Sequence, residues 1–168
     1  MLYYKIYSIV YDEQQTIEYE KYFNNINTVN MRSYLFEYNV LIDIIDNFKI
    51  DNDKYLGIFS HKFPFKTGLF KKKLYWLLKN NPDFDIYGLC PQYSLKGKYL
   101  DFTEKAHPGF KELFYHLCKD LELEVKEPEY VIYSNFVIMK TSIYKDYVNT
   151  IIKPAIHLLE TKYKDLAW

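Results

Sequence analysis

A chain of 168 residues carries 22 basic and 22 acidic side chains, so its net charge is zero, and 49% of it is hydrophobic. That balance excludes a disordered chain, which needs low hydrophobicity and high net charge. It also argues against nucleic-acid binding, which calls for a basic excess and bidentate arginines, since Arg32 is the only arginine. Stretches free of Asp, Glu, Lys and Arg reach only ten residues (22–31, 86–95 and 130–139), about half of what a membrane-crossing helix requires. The first dozen residues lack the basic start, long apolar run and small-residue cleavage site of a signal peptide. Two cysteines, Cys90 and Cys118, are too few for a disulfide framework or a Cys-rich zinc site, so a reducing cytoplasm is expected. The length predicts one domain over residues 1–168, and the alternation of strands and helices along it makes it α/β. With 19 Tyr, 12 Phe and 2 Trp, aromatic rings must supply much of its core.

In chain order, residues 5–11 are rich in β-branched and aromatic side chains and predict a first strand. Asn24, Asn25 and Asn27 mark a loop. Tyr34, Leu35, Tyr38, Leu41, Ile42, Ile45 and Phe48 recur at helical spacing over residues 31–48. Residues 55–60, nearly all apolar, read as a buried second strand. Residues 71–79 predict a short helix with Leu74, Leu77 and Leu78 inward, and residues 84–89 a third strand. A polar loop then runs to Glu104. Pro108 suits the first turn of a helix that carries Phe110, Leu113, Phe114, Leu117, Cys118 and Leu121 on one stripe. Residues 130–140 predict a fourth strand. Thr141 or Ser142 caps a last helix, which Pro154 must kink or split. Four successive βα units predict a mainly parallel sheet with flanking helices.

Ligands of open α/β sheets sit beyond the carboxyl ends of the strands. Those ends offer Tyr11, Asp12 and Glu13, then Ser60, His61, Lys62 and Lys66, then Cys90-Pro91-Gln92, and Asn135 within the fourth strand. In the segment 60–68, lysines able to hold a diphosphate surround Phe63 and Phe65, whose faces can stack a base or sugar. The plainer account is a loop whose phenylalanines close the core. Glu104 and His107, at a helix start, pair a carboxylate with an imidazole that could bind a divalent metal or serve as general acid and base; a cap or surface role is the alternative. His116 and His157 are assigned structural roles. Asp83 and Asp85 form a literal Asp-X-Asp of the kind that holds Mg²⁺ or Mn²⁺ against a diphosphate, but they precede a strand and should point to the opposite edge. No Gly-rich phosphate loop, G-x-S-x-G elbow or H-E-x-x-H occurs.

Several blocks resemble one family. Tyr55-Leu56-Gly57-Ile58-Phe59-Ser60-His61-Lys62-Phe63 with Lys66-Thr67-Gly68 is similar to a "YxGvfSwKFxxKTG" block of bacterial and phage glycosyltransferase-like proteins. Phe84-Asp85-Ile86-Tyr87 before Pro91 resembles the strand "aDvYxfnP", and Glu104 with His107-Pro108-Gly109 resembles "E..HPG". Tyr133-Ser134-Asn135-Phe136-Val137-Ile138-Met139-Lys140, with Tyr144 and Tyr147 beyond, is similar to "YxNyfvmk…iyxdYv". The blocks keep family order over about residues 3 to 160. The resemblance implies a GT-A (Rossmann-like) fold and transfer of a sugar from a nucleotide sugar to a carbohydrate acceptor, with the departing diphosphate stabilised either by Mg²⁺ or Mn²⁺ or by Lys62 and Lys66. It implies Ser60, His61, Lys62 and Lys66 near the donor, with Glu104, His107 and Asn135 lining the pocket. From their place after the first strand, Tyr11 joins the donor-binding set and Asp12 the catalytic one, with Glu104 or Asp12 as the general base and His107 as a further catalytic candidate. His61 stands where the family commonly shows Trp, and the chain is short for such an enzyme. A catalytically silent GT-A-like binding or virion-associated module is the alternative.

Overall fold

The computed structural model describes residues 4–10, 23–27, 37–47, 54–89, 91–92, 98–126, 131–132 and 135–167. Its strands are β1 (Tyr4–Val10), β2 (Asn24–Asn27), β3 (Tyr55–Ser60), β4 (Ile86–Gly88), β5 (Pro91–Gln92), β6 (Val131–Ile132) and β7 (Val137–Lys140). Its helices are α1 (Glu37–Asn47), α2 (Phe63–Thr67), α3 (Lys71–Asn80), α4 (Tyr99–Ala106), α5 (Phe110–Asp120), α6 (Thr141–Tyr147), α7 (Lys153–Thr161) and α8 (Lys164–Ala167).

The main sheet has the order β2-β1-β3-β7-β4, and β5 pairs with β6 in a separate two-stranded sheet. β1 runs parallel to both β2 and β3, whereas β7 runs antiparallel to β3 and to β4. The sheet is therefore mixed, and the expectation of a mainly parallel sheet is corrected. The last crossover delivers β7 reversed, between two strands that share one direction. Antiparallel and parallel strands carry the same two-residue side-chain period, so the sequence holds no local mark of the reversal.

β3 shows why this core forms. Its alternate residues face opposite sides of the sheet. Tyr55 and Phe59 join Ile6, Tyr87, Phe136, Ile138 and the inward faces of α2 and α3 (Phe63, Leu74, Leu78). Leu56 and Ile58 join Ile9, Met139 and the inward faces of α1 and α6 (Val40, Leu41, Ile44, Tyr144). Helices thus cover both faces of an apolar central strand. Many of the aromatic residues are spent here: Phe59 and Phe63 stack with centroids 4.0 Å apart, and Phe136 meets Phe63 edge-on at 4.9 Å.

Several elements differ from the expectations above. Asn24–Asn27 is a strand, because backbone pairing with β1 outweighs the low strand preference of asparagine. Residues 130–140 are not one strand: β6 and β7 are separated by Asn135, whose φ of +55° breaks the extended run. Tyr99–Ala106 is a helix rather than loop; only Leu100 in it is buried, so its apolar stripe is faint. Helix α5 starts at Phe110, after Gly109 at φ +90°, so Pro108 lies in the turn before it. Thr141 does not cap α6; its hydroxyl donates to the carbonyl of Lys54 at 2.9 Å. Ahead of Pro154, which lacks an N–H, the last helix widens into a turn of π-helix at Val148–Ile152 before α7 resumes. Among the described residues no helix is long and apolar enough to cross a membrane.

Candidate functional site

β1 sits between β2 and β3, so the chain leaves it first to one side and later to the other. The carboxyl edge at this reversal is where an open α/β sheet forms a crevice. Ser60 ends β3 at that edge, and the His61 N–H donates to the carbonyl of Ile9 at 3.1 Å, tying the turn after β3 to the end of β1. His61 is buried, while Lys62 is exposed. A tight helical turn follows. The Lys66 N–H reaches the Lys62 carbonyl at 3.0 Å, and Gly68, at φ +67°, ends α2 with its N–H on the Pro64 carbonyl at 2.8 Å. Phe63 points into the core and Phe65 outward, so of these two rings only Phe65 is open to a ligand.

Asn135 reaches the same edge from the other direction. β7 pairs Tyr55 with Lys140 and Gly57 with Ile138. Carrying that register onward brings Phe136 beside Phe59, whose rings lie 6.1 Å apart, and leaves Asn135 where Ser60 ends. The Leu89 N–H donates to the Phe136 carbonyl at 2.8 Å, so the end of β4 closes the same edge. Asn135 holds a left-handed conformation that asparagine tolerates. Its side-chain amide donates to the Tyr38 hydroxyl at 3.2 Å. The hydroxyls of Ser8 and Ser60 are buried with no hydrogen-bond partner among the described residues.

Behind Asn135 opens a cavity of about 160 Å³, lined by Glu37, Tyr38, Leu41, Ile58, Asn135, Val137, Met139, Tyr144 and Tyr147. Its floor is apolar, and Glu37, Tyr38 and Asn135 bring a carboxylate, a phenol and an amide to it. Burial, reinforced by neighbouring Tyr38, pushes the Tyr147 hydroxyl up to about 12, so it stays a neutral donor. Tyr144 is pushed up for the same reason, and its hydroxyl donates to the Val137 carbonyl at 3.3 Å. Of the described residues expected at a donor, only Asn135 lines this cavity. Tyr38 belongs to a helical stripe that reads as core, and Glu37 follows no strand. A stripe that mixes tyrosines with aliphatics at one face was the available signal.

Glu104 and His107 belong to the α4–α5 corner. Both oxygens of Glu104 accept backbone N–H groups, from Gly109 at 2.9 Å and from Lys111 at 2.8 Å. The carboxylate therefore caps the start of α5, and these two bonds, Lys111 first, hold its pKa below the usual glutamate range. Lys111 also pairs with Asp101. His107 is exposed, and its backbone forms the turn between the helices. Among the described residues no hydrogen bond or ion pair ties this corner to Ser60 or Asn135. Tyr11 and Asp12 lie outside the described residues. Asp85 pairs with Lys140 at 2.5 Å and Asp83 is exposed at φ +74°, both at the amino end of β4, opposite the edge carrying Ser60 and Asn135. Among the described residues no group of three or more His, Cys, Asp or Glu comes together.

The capping role has a pH signature. A carboxylate whose folded pKa is depressed stabilises the fold above its unfolded pKa, and that contribution is lost as pH falls through the folded value. Glu104→Gln is expected to lower the melting temperature at neutral pH and to leave it closer to wild type in acid. Melting curves from about pH 7 to pH 3 measure this; parallel curves for the two proteins would contradict it.

The chain matches no protein-family model, no curated protein and no solved structure.

Proposed function

We propose that this chain is a small GT-A-like glycosyltransferase that binds a nucleotide sugar at the carboxyl edge of its sheet and passes the sugar to a carbohydrate acceptor. The observation that carries the proposal is the meeting of Ser60, His61 and Asn135 at the β1/β3 reversal, beside a tyrosine-lined cavity. A cavity of this size accepts about one six-membered ring. Aromatic and amide groups around an apolar floor suit a ring with carbon faces and a hydroxyl rim.

In this reading Lys62 and Lys66 at the turn after β3 neutralise the departing nucleoside diphosphate, since fixed positive charge aimed at developing negative charge lowers the barrier. The described residues do not fit a divalent cation at the donor: the Asp-X-Asp pair is at the opposite edge, and Asp85 is engaged by Lys140. No step is therefore routed through a metal. Removal of the acceptor proton falls to Asp12, two residues past the end of β1 in the sequence.

A second reading, a binding module without transfer, is favoured by one observation: both oxygens of Glu104 are engaged in capping α5, which leaves that carboxylate a structural role.

The test is a thermal-shift screen with UDP-, GDP- and CMP-sugars at millimolar concentration, with and without Mn²⁺. A ligand at a hundred times its Kd adds about 2.7 kcal/mol to the native state, so a rise of several degrees is expected with one donor class. No rise with any of them overturns donor binding. A rise without release of the nucleotide (UDP, GDP or CMP) in the presence of acceptor sugars selects the binding module.

A further inference from the structure

We infer that the outer side of α3 docks on an anionic phospholipid surface. Residues 54–82 contain seven lysines and no aspartate or glutamate, in a chain whose charges cancel overall. Helix α3 concentrates this excess. Leu74 and Leu78 are its buried residues and anchor it to the sheet. At 100° per residue, Trp76 falls on the side opposite those two leucines, with Lys72, Lys73 and Lys79 around it. Trp76 is 66% exposed, the most of any large apolar side chain described. Phe65 and Phe70, both exposed and in edge-on contact at 5.7 Å, add two rings at the start of the helix.

Single exposed apolar residues are ordinary. An indole ringed by lysines on a firmly anchored helix is a specific combination. Tryptophan prefers the headgroup level of a bilayer, where its ring is half in hydrocarbon and its N–H stays wet. Lysines beside it gain from the negative surface potential of anionic lipids while their stems cover apolar surface. None of Lys71, Lys72, Lys73 and Lys79 has an ion-pair partner among the described residues, so their charge is available to a surface. Charge complementarity selects the occupant: the patch is cationic and aromatic, which fits an anionic bilayer. It contains none of the arginines through which nucleic-acid bases are read. The helix would lie on the bilayer without crossing it.

The experiment uses the full chain with Trp168→Phe, so that Trp76 is the only tryptophan. Vesicles of phosphatidylcholine alone are compared with vesicles containing about one-third phosphatidylserine. The expected result is a blue shift of Trp76 emission and co-sedimentation with the phosphatidylserine vesicles only, weakened at high salt. Each lysine near an anionic surface is worth about fivefold in partition. K72Q/K73Q/K79Q should therefore bind roughly a hundredfold more weakly, and Trp76→Ala should bind more weakly while melting like the parent. Equal binding to both vesicles, no binding to either, an unaffected Trp76→Ala variant, or binding to duplex DNA as tight as to the anionic vesicles would each overturn the inference.

Discussion

Phe63→Ala is expected to destabilise the protein by about 3–5 kcal/mol, the range for emptying a large buried aromatic site. Phe63 is fully buried and is the hub of an aromatic group: it stacks on Phe59 at 4.0 Å, meets Phe136 edge-on at 4.9 Å and lies 6.2 Å from Phe23. Those neighbours belong to β3 and to the segments beside β7 and β2, so the void left by alanine has walls fixed by the sheet and cannot collapse cheaply. For a chain of this length the loss corresponds to a drop of roughly 10 °C or more in melting temperature, a large part of the stability of an ordinary domain. Chemical denaturation measures it. Phe63→Leu keeps most of the volume and should recover more than half of the loss. Equal stability of Phe63→Ala and wild type would mean that the turn after β3 is not anchored as described. The effect bears on the site, because Phe63 pins the segment that carries His61 and Lys62.

Gly57→Val should be the second severe substitution. Gly57 sits in β3 between β1 and β7. A Cβ there would lie 2.9 Å from Ile138 Cγ1 and 3.1 Å from Phe59 Cζ, both in fully buried side chains. Neither can retreat without disturbing the packing on that face. Alanine should cost about 1–3 kcal/mol, as overpacking does, and valine more. Gly88 provides the control. Its Cβ would meet Ile132 Cδ1 at 2.6 Å, a shorter distance, but that atom is the tip of a half-buried side chain that can rotate away. Gly88→Ala should therefore be nearly neutral. Denaturation midpoints of the three variants test the ordering; a Gly88→Ala loss as large as that of Gly57→Val would contradict it.

How far the sequence foretells the fold depends on what each signal encodes. The apolar run of residues 55–60 and the leucines of 71–79 match β3 and α3, because burial on both faces and helical spacing are local properties. Strand direction is not local, and β7 therefore reads like its parallel neighbours. Asn135 reads as part of a strand because nothing in its neighbours announces a positive φ. At the site, Ser60 and His61 are legible from their position at a strand end, whereas Asn135 is reached only through the resemblance of residues 133–140. Glu37, Tyr38, Tyr144 and Tyr147 are not, because a helix stripe looks the same whether it packs solidly or lines a cavity. Glu104 carries the opposite lesson. Three residues before a histidine it has the spacing of a reactive pair, but backbone amides that no sequence pattern displays take up both of its oxygens.

The central claim is that a nucleotide sugar binds at the edge where Ser60, His61 and Asn135 meet. The most direct measurement is a titration of the ¹⁵N-labelled protein with the nucleotide sugar that raises its melting temperature most, following backbone amide shifts. The account predicts saturable shifts at Ser60, His61, Lys62 and Asn135, with smaller ones at Tyr38 and Tyr147. Shifts confined to the α4–α5 corner around His107, or no shifts at millimolar ligand, would contradict it.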